Sequence, residues 1–226
     1  MSQPDRSNCI ALIHTVAGLI PVFEGLMAAE LPDWARFCIY DDSLLKDTIR
    51  DGFLSPATTK RLQQYVNSAV VGGADAIVVT CSSLGTAVEA ARLQCPVPLF
   101  RIDQGMAEEA VARGARIGVL ATLNTTLAPT TALIKAVAAR TGKTDRQITG
   151  RVCEGAFDLL QSGDVDGHDA AVAAALVKMA GEVDVIVLAQ ASMARAMERT
   201  AGEKINCPVL TSPELGVRFV RDALSS

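Results

Sequence analysis

The sequence predicts an α/β protein built as two pseudo-symmetric flavodoxin-like domains, each a parallel four-stranded sheet flanked by helices. Three observations carry this. Half of the 226 residues are hydrophobic but only 4% are aromatic, so the core must be made of Val, Ile, Leu and Ala, as in sheets buried on both faces. Short apolar β-branched runs alternate with stretches of helical period, which implies parallel strands joined by right-handed crossovers. Finally, the chain repeats itself: Asp75-Ala76-Ile77-Val78-Val79-Thr80-Cys81-Ser82-Ser83-Leu84 returns as Asp184-Val185-Ile186-Val187-Leu188-Ala189-Gln190-Ala191-Ser192-Met193.

In chain order, Cys9–Ile13 reads as the first strand and His14-Thr15-Val16-Ala17-Gly18 as the loop at its carboxyl end. Phe37–Tyr40 is a second strand. Ala57–Val71 carries helical spacing through Leu62, Val66, Ala69 and Val70 and stops at Gly72-Gly73. The Ala76 run makes the third strand, ending in Cys81. Gln94–Phe100 is a fourth, after a proline-marked turn, and Met106–Arg113 a helical connection. Arg116–Ala121 restarts the pattern of Cys9–His14, so Thr122 matches Thr15. A helix is expected over Pro129–Arg140, a strand over Gln147–Cys153, and a helical region over Glu154–Ala180 broken at Ser162-Gly163-Asp164. Cys207-Pro208-Val209 echoes Cys95-Pro96-Val97, and a last helix covers Pro213–Leu224. The expected division is 1–105, joined by the C-terminal helix 213–226, and 106–212.

Ligands of such sheets bind beyond the carboxyl ends of the strands. His14, Thr15, Cys81, Ser82, Thr122 and Gln190 all fall there, and facing halves would bring Cys81 and Gln190 into one cleft. Leu84, Ala87, Val88 and Ala91 recur at helical spacing, so Ser82 and Ser83 are expected to cap a helix whose N-terminus favours the Cys81 thiolate or a carboxylate. His168, after Asp164-Val165-Asp166-Gly167, reads as a solvated residue near a helix start.

The net charge of −4, with Lys and Arg scattered singly, gives no footprint for nucleic acid or a membrane surface. The opening residues are polar and no apolar run reaches the roughly 18 residues of a membrane span, so a cytoplasmic protein is expected. Six cysteines without paired spacing read as reduced thiols, and two histidines far from any ligand cluster give no metal site. No Gly-x-Gly-x-x-Gly follows a strand, and neither a phosphate-binding Gly-x-x-x-x-Gly-Lys-Ser/Thr nor a Gly-x-Ser-x-Gly elbow occurs. Six residues past Cys81, where a tyrosine-phosphatase loop needs arginine, stands Ala87.

Thr80-Cys81-Ser82-Ser83, Leu188-Ala189-Gln190-Ala191-Ser192-Met193 and the threonine-rich Gly118–Thr126 segment together resemble the aspartate/glutamate/hydantoin racemase superfamily over nearly the whole chain. The resemblance implies catalysis without cofactors, in which two thiols on opposite faces of a substrate α-carbon move the proton while hydroxyls and backbone amides hold the carboxylate. It makes Cys81 the proton donor or acceptor and Thr15, Ser82, Ser83, Thr122, Asn124, Thr125, Thr126, Ala191 and Ser192 candidates for substrate contact. His14 occupies the first substrate loop, where it could orient substrate or assist the thiol. A homodimer is also expected. The departure is Gln190, which stands at the second cysteine and cannot carry a proton. Three readings stay open: a racemase, epimerase or isomerase of a small carboxylate such as an amino acid, a single-thiol decarboxylase, and a non-catalytic binder of small carboxylates.

Overall fold

A computed structural model describes residues 8–200 and 205–225; the polar opening residues 1–7 lie outside it. The chain divides into two compact units, the first reaching Ile102 and taking back the chain from Val217 onward, the second spanning Asp103–Gly216.

In the first unit, β1 (Cys9–His14), β2 (Ala35–Tyr40), β3 (Ala76–Val79) and β4 (Leu99–Arg101) form a wholly parallel sheet in the order β2-β1-β3-β4. Side chains alternate across it. Ala11, Ile13, Ile77 and Val79 pack under α3 (Pro56–Val71) and α4 (Gly85–Arg92), while Ile10, Leu12, Ala76 and Val78 pack under α1 (Ile20–Glu30) and Val217 and Val220 of α9 (Ser212–Leu224). A further helix, α2 (Ser43–Asp51), buries Leu44. Ser55 caps α3 by accepting the Thr58 N–H, and Gly73, at φ +86°, lets the chain turn out of it in a left-handed conformation.

The second unit repeats the plan. Its strands β5 (Arg116–Ala121), β6 (Gln147–Val152), β7 (Val185–Leu188) and β8 (Val209–Thr211) lie parallel in the order β6-β5-β7-β8. One face is covered by α5 (Gln104–Arg113) and α6 (Asn124–Arg140), the other by α7 (Ala156–Gln161), α8 (Val165–Ala180) and a 3-10 segment, Ala191–Thr200.

The duplication extends to individual bonds. Asp75 donates its N–H to Cys9 O at 2.7 Å and accepts the Cys9 N–H on its carboxylate at 2.8 Å; Asp184 does the same with Arg116, both at 2.8 Å. Each aspartate thus ties the start of the third strand of its unit to the start of the first.

Three expectations need correction. Helix α6 begins at Asn124, five residues before Pro129: Thr126 and Leu127 donate to Leu123 O, so the helix is already running where the proline enters it. Ser82 and Ser83 do not cap through their side chains; the chain leaves β3 through a 3-10 turn, Ser82–Leu84, before α4 starts. His168 is fully buried, on the α8 face shared with Val172, Leu176 and Met179, and bonds Asp169 at 2.6 Å while Asp169 holds Arg195 at 3.2 Å.

Candidate active site

In a sheet ordered 2-1-3-4 the first and third strands flank the point where the crossovers reverse direction, and their carboxyl ends open a crevice. His14 ends β1 and Thr15 follows it; Thr80 and Cys81 follow β3. The alternation of side chains then separates them. Thr15 and Cys81 fall on the α3/α4 side of the sheet, and Cys81 packs against that core. His14 falls on the other side, its ring centroid 5.8 Å from that of Phe23, and bonds Thr80 Oγ1 through Nδ1 at 2.9 Å. The structure therefore joins Thr15 to Cys81, and His14 to Thr80 rather than to the thiol.

The Cys81 sulfur has polar groups beside it that favour its anion, the hydroxyls of Thr15 and Ser83 and the amides of Ser83 and Leu84. The 3-10 turn produces this. Cys81 keeps extended backbone angles, φ −116° and ψ 110°, and Leu84 N–H folds back to Cys81 O at 3.1 Å, so successive amides point at the residue before the turn. Burial pushes the thiol above its ordinary value, and these groups act against that. Burial thus favours the protonated thiol, while its polar neighbours favour the anion.

Arg101, at the end of β4, is a site neighbour the sequence reading missed. It is buried, and a Cβ on Gly85 would fall on its guanidinium, so α4 can start beside the cation because residue 85 has no side chain. Its Nη1 lies 3.7 Å from Glu89.

Burial lowers the His14 imidazole from its ordinary 6.5, Glu24 acting weakly the other way. The sign follows directly. Below pH 6.5 the unfolded chain takes a proton that the folded chain refuses, so this residue's contribution is complete above that value and is lost as pH falls through the depressed folded value. Denaturation midpoints of the wild type should therefore decline from pH 7 to pH 5, and His14→Asn should flatten that slope; parallel slopes would remove His14 as its source.

In the second unit the equivalent positions are Thr122 and Gln190, and they close on each other. Thr122 N–H donates to Gln190 Oε1 at 2.6 Å, and Gln190 Nε2 donates to Thr122 Oγ1 at 2.7 Å. Thr122 was expected to hold a carboxylate; here the Gln190 amide occupies both of its groups. Asn124, Thr125 and Thr126 open α6, the Thr126 N–H donating to Leu123 O at 3.1 Å, and the Thr125 hydroxyl is buried with no protein partner. Ala191 and Ser192 are half-buried at the start of the 3-10 segment. Cys153, just beyond β6, is buried and pushed up to about 11, chiefly by desolvation and then by Glu154. Among the described residues there is no cluster of His, Cys, Asp and Glu suited to a metal, and no helix is long and apolar enough to cross a membrane.

The family model for Asp/Glu/hydantoin racemases matches residues 16–220. The chain belongs to the Asp/Glu/hydantoin racemase family. It is therefore an enzyme of a racemase superfamily, with the two parallel four-stranded sheets of its structural neighbours. Glutamate racemase RacE1 from Bacillus anthracis is similar at a TM-score of 0.70 and 18% identity, over 97% of this chain and 82% of that one. Allantoin racemase from Klebsiella pneumoniae gives 0.68 and 16% over 97% and 88%, and an aspartate racemase homologue from Pyrococcus horikoshii 0.66 and 14% over 97% and 100%. At these identities the likeness is one of fold. No curated protein matches the chain. Within the racemase family's frame, this chain keeps a cradled thiol in one unit and an internally bonded amide in the other.

Proposed function

We propose that the protein is a cofactor-independent isomerase of a small carboxylate, with Cys81 transferring the proton at the carbon next to the carboxylate. What supports this reading is the place of Cys81, at the carboxyl end of β3 and immediately before a 3-10 turn, with polar groups of Thr15, Ser83 and Leu84 beside its sulfur. A thiol that must give up its proton and take it back needs both forms accommodated without rearrangement, and fixed hydroxyls and amides do that. In this reading Thr15, Ser82 and Ser83, at the strand ends beside Cys81, receive the substrate's polar groups. Neutral hydroxyls and amides suit a compact acid. The test is a screen of small carboxylic acids, amino acids included, for hydrogen exchange in heavy water followed by NMR; exchange that appears with the wild type and vanishes in Cys81→Ala is the expected result, and ligand binding with no exchange would make the protein a binder.

Where the family has its second thiol, this chain has Gln190. An amide carries no proton at usable pH, and both of its ends are engaged by Thr122. With one thiol the proton returns to the face it left more often than to the other, so the acid is expected to exchange its hydrogen faster than it inverts. Chiral chromatography alongside the NMR series checks this, and equal rates of exchange and inversion would refute it. The same arrangement favours a second reading, in which the thiol protonates an enolate left by decarboxylation; release of carbon dioxide separates the two.

A further inference from the structure

The duplication gives every strand-end residue of the first unit a counterpart that can serve as a control. Thr80 N–H donates to Ile13 O at 3.0 Å, and Ala189 N–H donates to Leu120 O at 2.8 Å. Asp41 N–H donates to His14 O at 3.1 Å, and Cys153 N–H donates to Ala121 O at 2.7 Å. These matched bonds set His14 against Ala121 and Thr80 against Ala189. The second unit closes the same two strand ends with alanines, so a polar side-chain pair is not required to hold them. Yet the first unit buries His14 at 0% and Thr80 at 8% exposure, which costs desolvation that an alanine pair would not. The unit with the extra pair is also the unit with a thiol next in sequence, where its counterpart has Gln190.

We propose that the His14–Thr80 pair is a positioning device for the Cys81 sulfur. The inference rests on the reading of Cys81 as the proton-transfer group and adds to it two residues that touch neither sulfur nor substrate. Thr80 Oγ1 donates to Ile13 O at 3.2 Å, which leaves it to accept from His14 Nδ1 at 2.9 Å. That assignment puts the ring hydrogen on Nδ1 and leaves Nε2, buried and without a protein partner, as an unsatisfied acceptor; the opposite tautomer would leave an unsatisfied donor there, which is rarer in folded proteins. Thr80 is thus held on both sides. It immediately precedes Cys81, so pinning it removes torsional freedom from the one backbone segment that aims the sulfur at Thr15, Ser83 and Leu84. Displacements of about 1 Å in such a constellation cost on the order of a hundredfold in rate.

The experiment measures the alkylation rate of Cys81 by iodoacetamide against pH in the full-length chain, resolved from the other thiols by peptide mapping. The double variant His14→Ala/Thr80→Ala installs the second unit's own residues. It is expected to fold, with the midpoint of the Cys81 profile about one pH unit higher, hence about tenfold slower labelling at neutral pH. His14→Asn, which keeps a donor for Thr80, should restore most of the wild-type profile. A double variant with changed stability and an unchanged profile would make the pair merely structural and overturn the proposal. Should that variant fail to fold, Thr80→Ser and Thr80→Val decide: serine keeps the hydroxyl and the wild-type profile, valine shifts it, and coincident profiles overturn the proposal. A shifted profile together with undiminished exchange in Cys81→Ala would uphold the pair as a device acting on the sulfur while discarding the thiol's assigned chemistry.

Discussion

Cys81→Ala is expected to lower hydrogen exchange of the identified acid by at least about a thousandfold, within the range that a positioned acid–base group supplies. The variant leaves Thr15, Ser83 and the 3-10 turn in place, so binding should change far less than rate, and the loss should fall on kcat. Cys81→Ser should be nearly as inactive, because a hydroxyl fits the cradle but its proton is far less acidic than a thiol's. Rates and affinities measured in parallel check this. Full activity in either variant would transfer the chemistry to another group.

Gly118→Val should have the largest effect on stability. Gly118 lies in the middle of β5 and is buried. A Cβ there would fall on Met179 Sδ, with Met179 Cγ at 3.0 Å and Val183 Cγ2 at 3.2 Å. Met179 is fully buried and cannot swing out, so the strand must shift from α8. Overpacking of this kind costs about 3 kcal/mol at the upper end of its usual range. Urea denaturation measures it, and Met179→Ala placed in the Gly118→Ala background should recover part of the loss, a coupling that independent sites would not show. An unchanged midpoint for Gly118→Val would mean that β5 and α8 are not packed as described.

The sequence reading and the structure agree where hydrophobic pattern alone decides. Ala76–Val79 and Val185–Leu188 are continuous apolar runs that can only be buried strands, and their shared flanks made the duplication visible. The helices α1 and α2 were not read: α1 contains Pro21 and Gly25, which blur the periodicity. Pro129 reads as a helix start, but the helix tolerates it in its second turn. For His168 the preceding Asp164-Val165-Asp166-Gly167 suggests solvent, although its spacing to Val172, Leu176 and Met179 places it on the buried face. The candidate site was legible as a set of strand ends. Its internal bonds were not, since Thr122 and Gln190 are distant in sequence and nothing local reveals that a threonine will occupy both ends of a glutamine. The His14–Thr80 pair could have been found by writing the two repeats side by side, where histidine and threonine stand over two alanines.

Helix α9 has a consequence for the order in which the chain can fold during synthesis. Its first residues belong to the second unit, but from Val217 onward it belongs to the first, where Val217 and Val220 are fully buried beside Ile10, Leu12 and Phe23. Burying two such valines contributes about 1.5–3 kcal/mol each. The unit translated first therefore waits for a segment translated after all the strands of the second. Until α9 leaves the ribosome, one face of the sheet that carries Cys81 lacks its cover, whereas every strand of the second unit has already been made. Vectorial synthesis thus runs against the numbering: the half with the locked glutamine has its sheet complete first, and the half with the thiol closes only after every strand of the other half has been made.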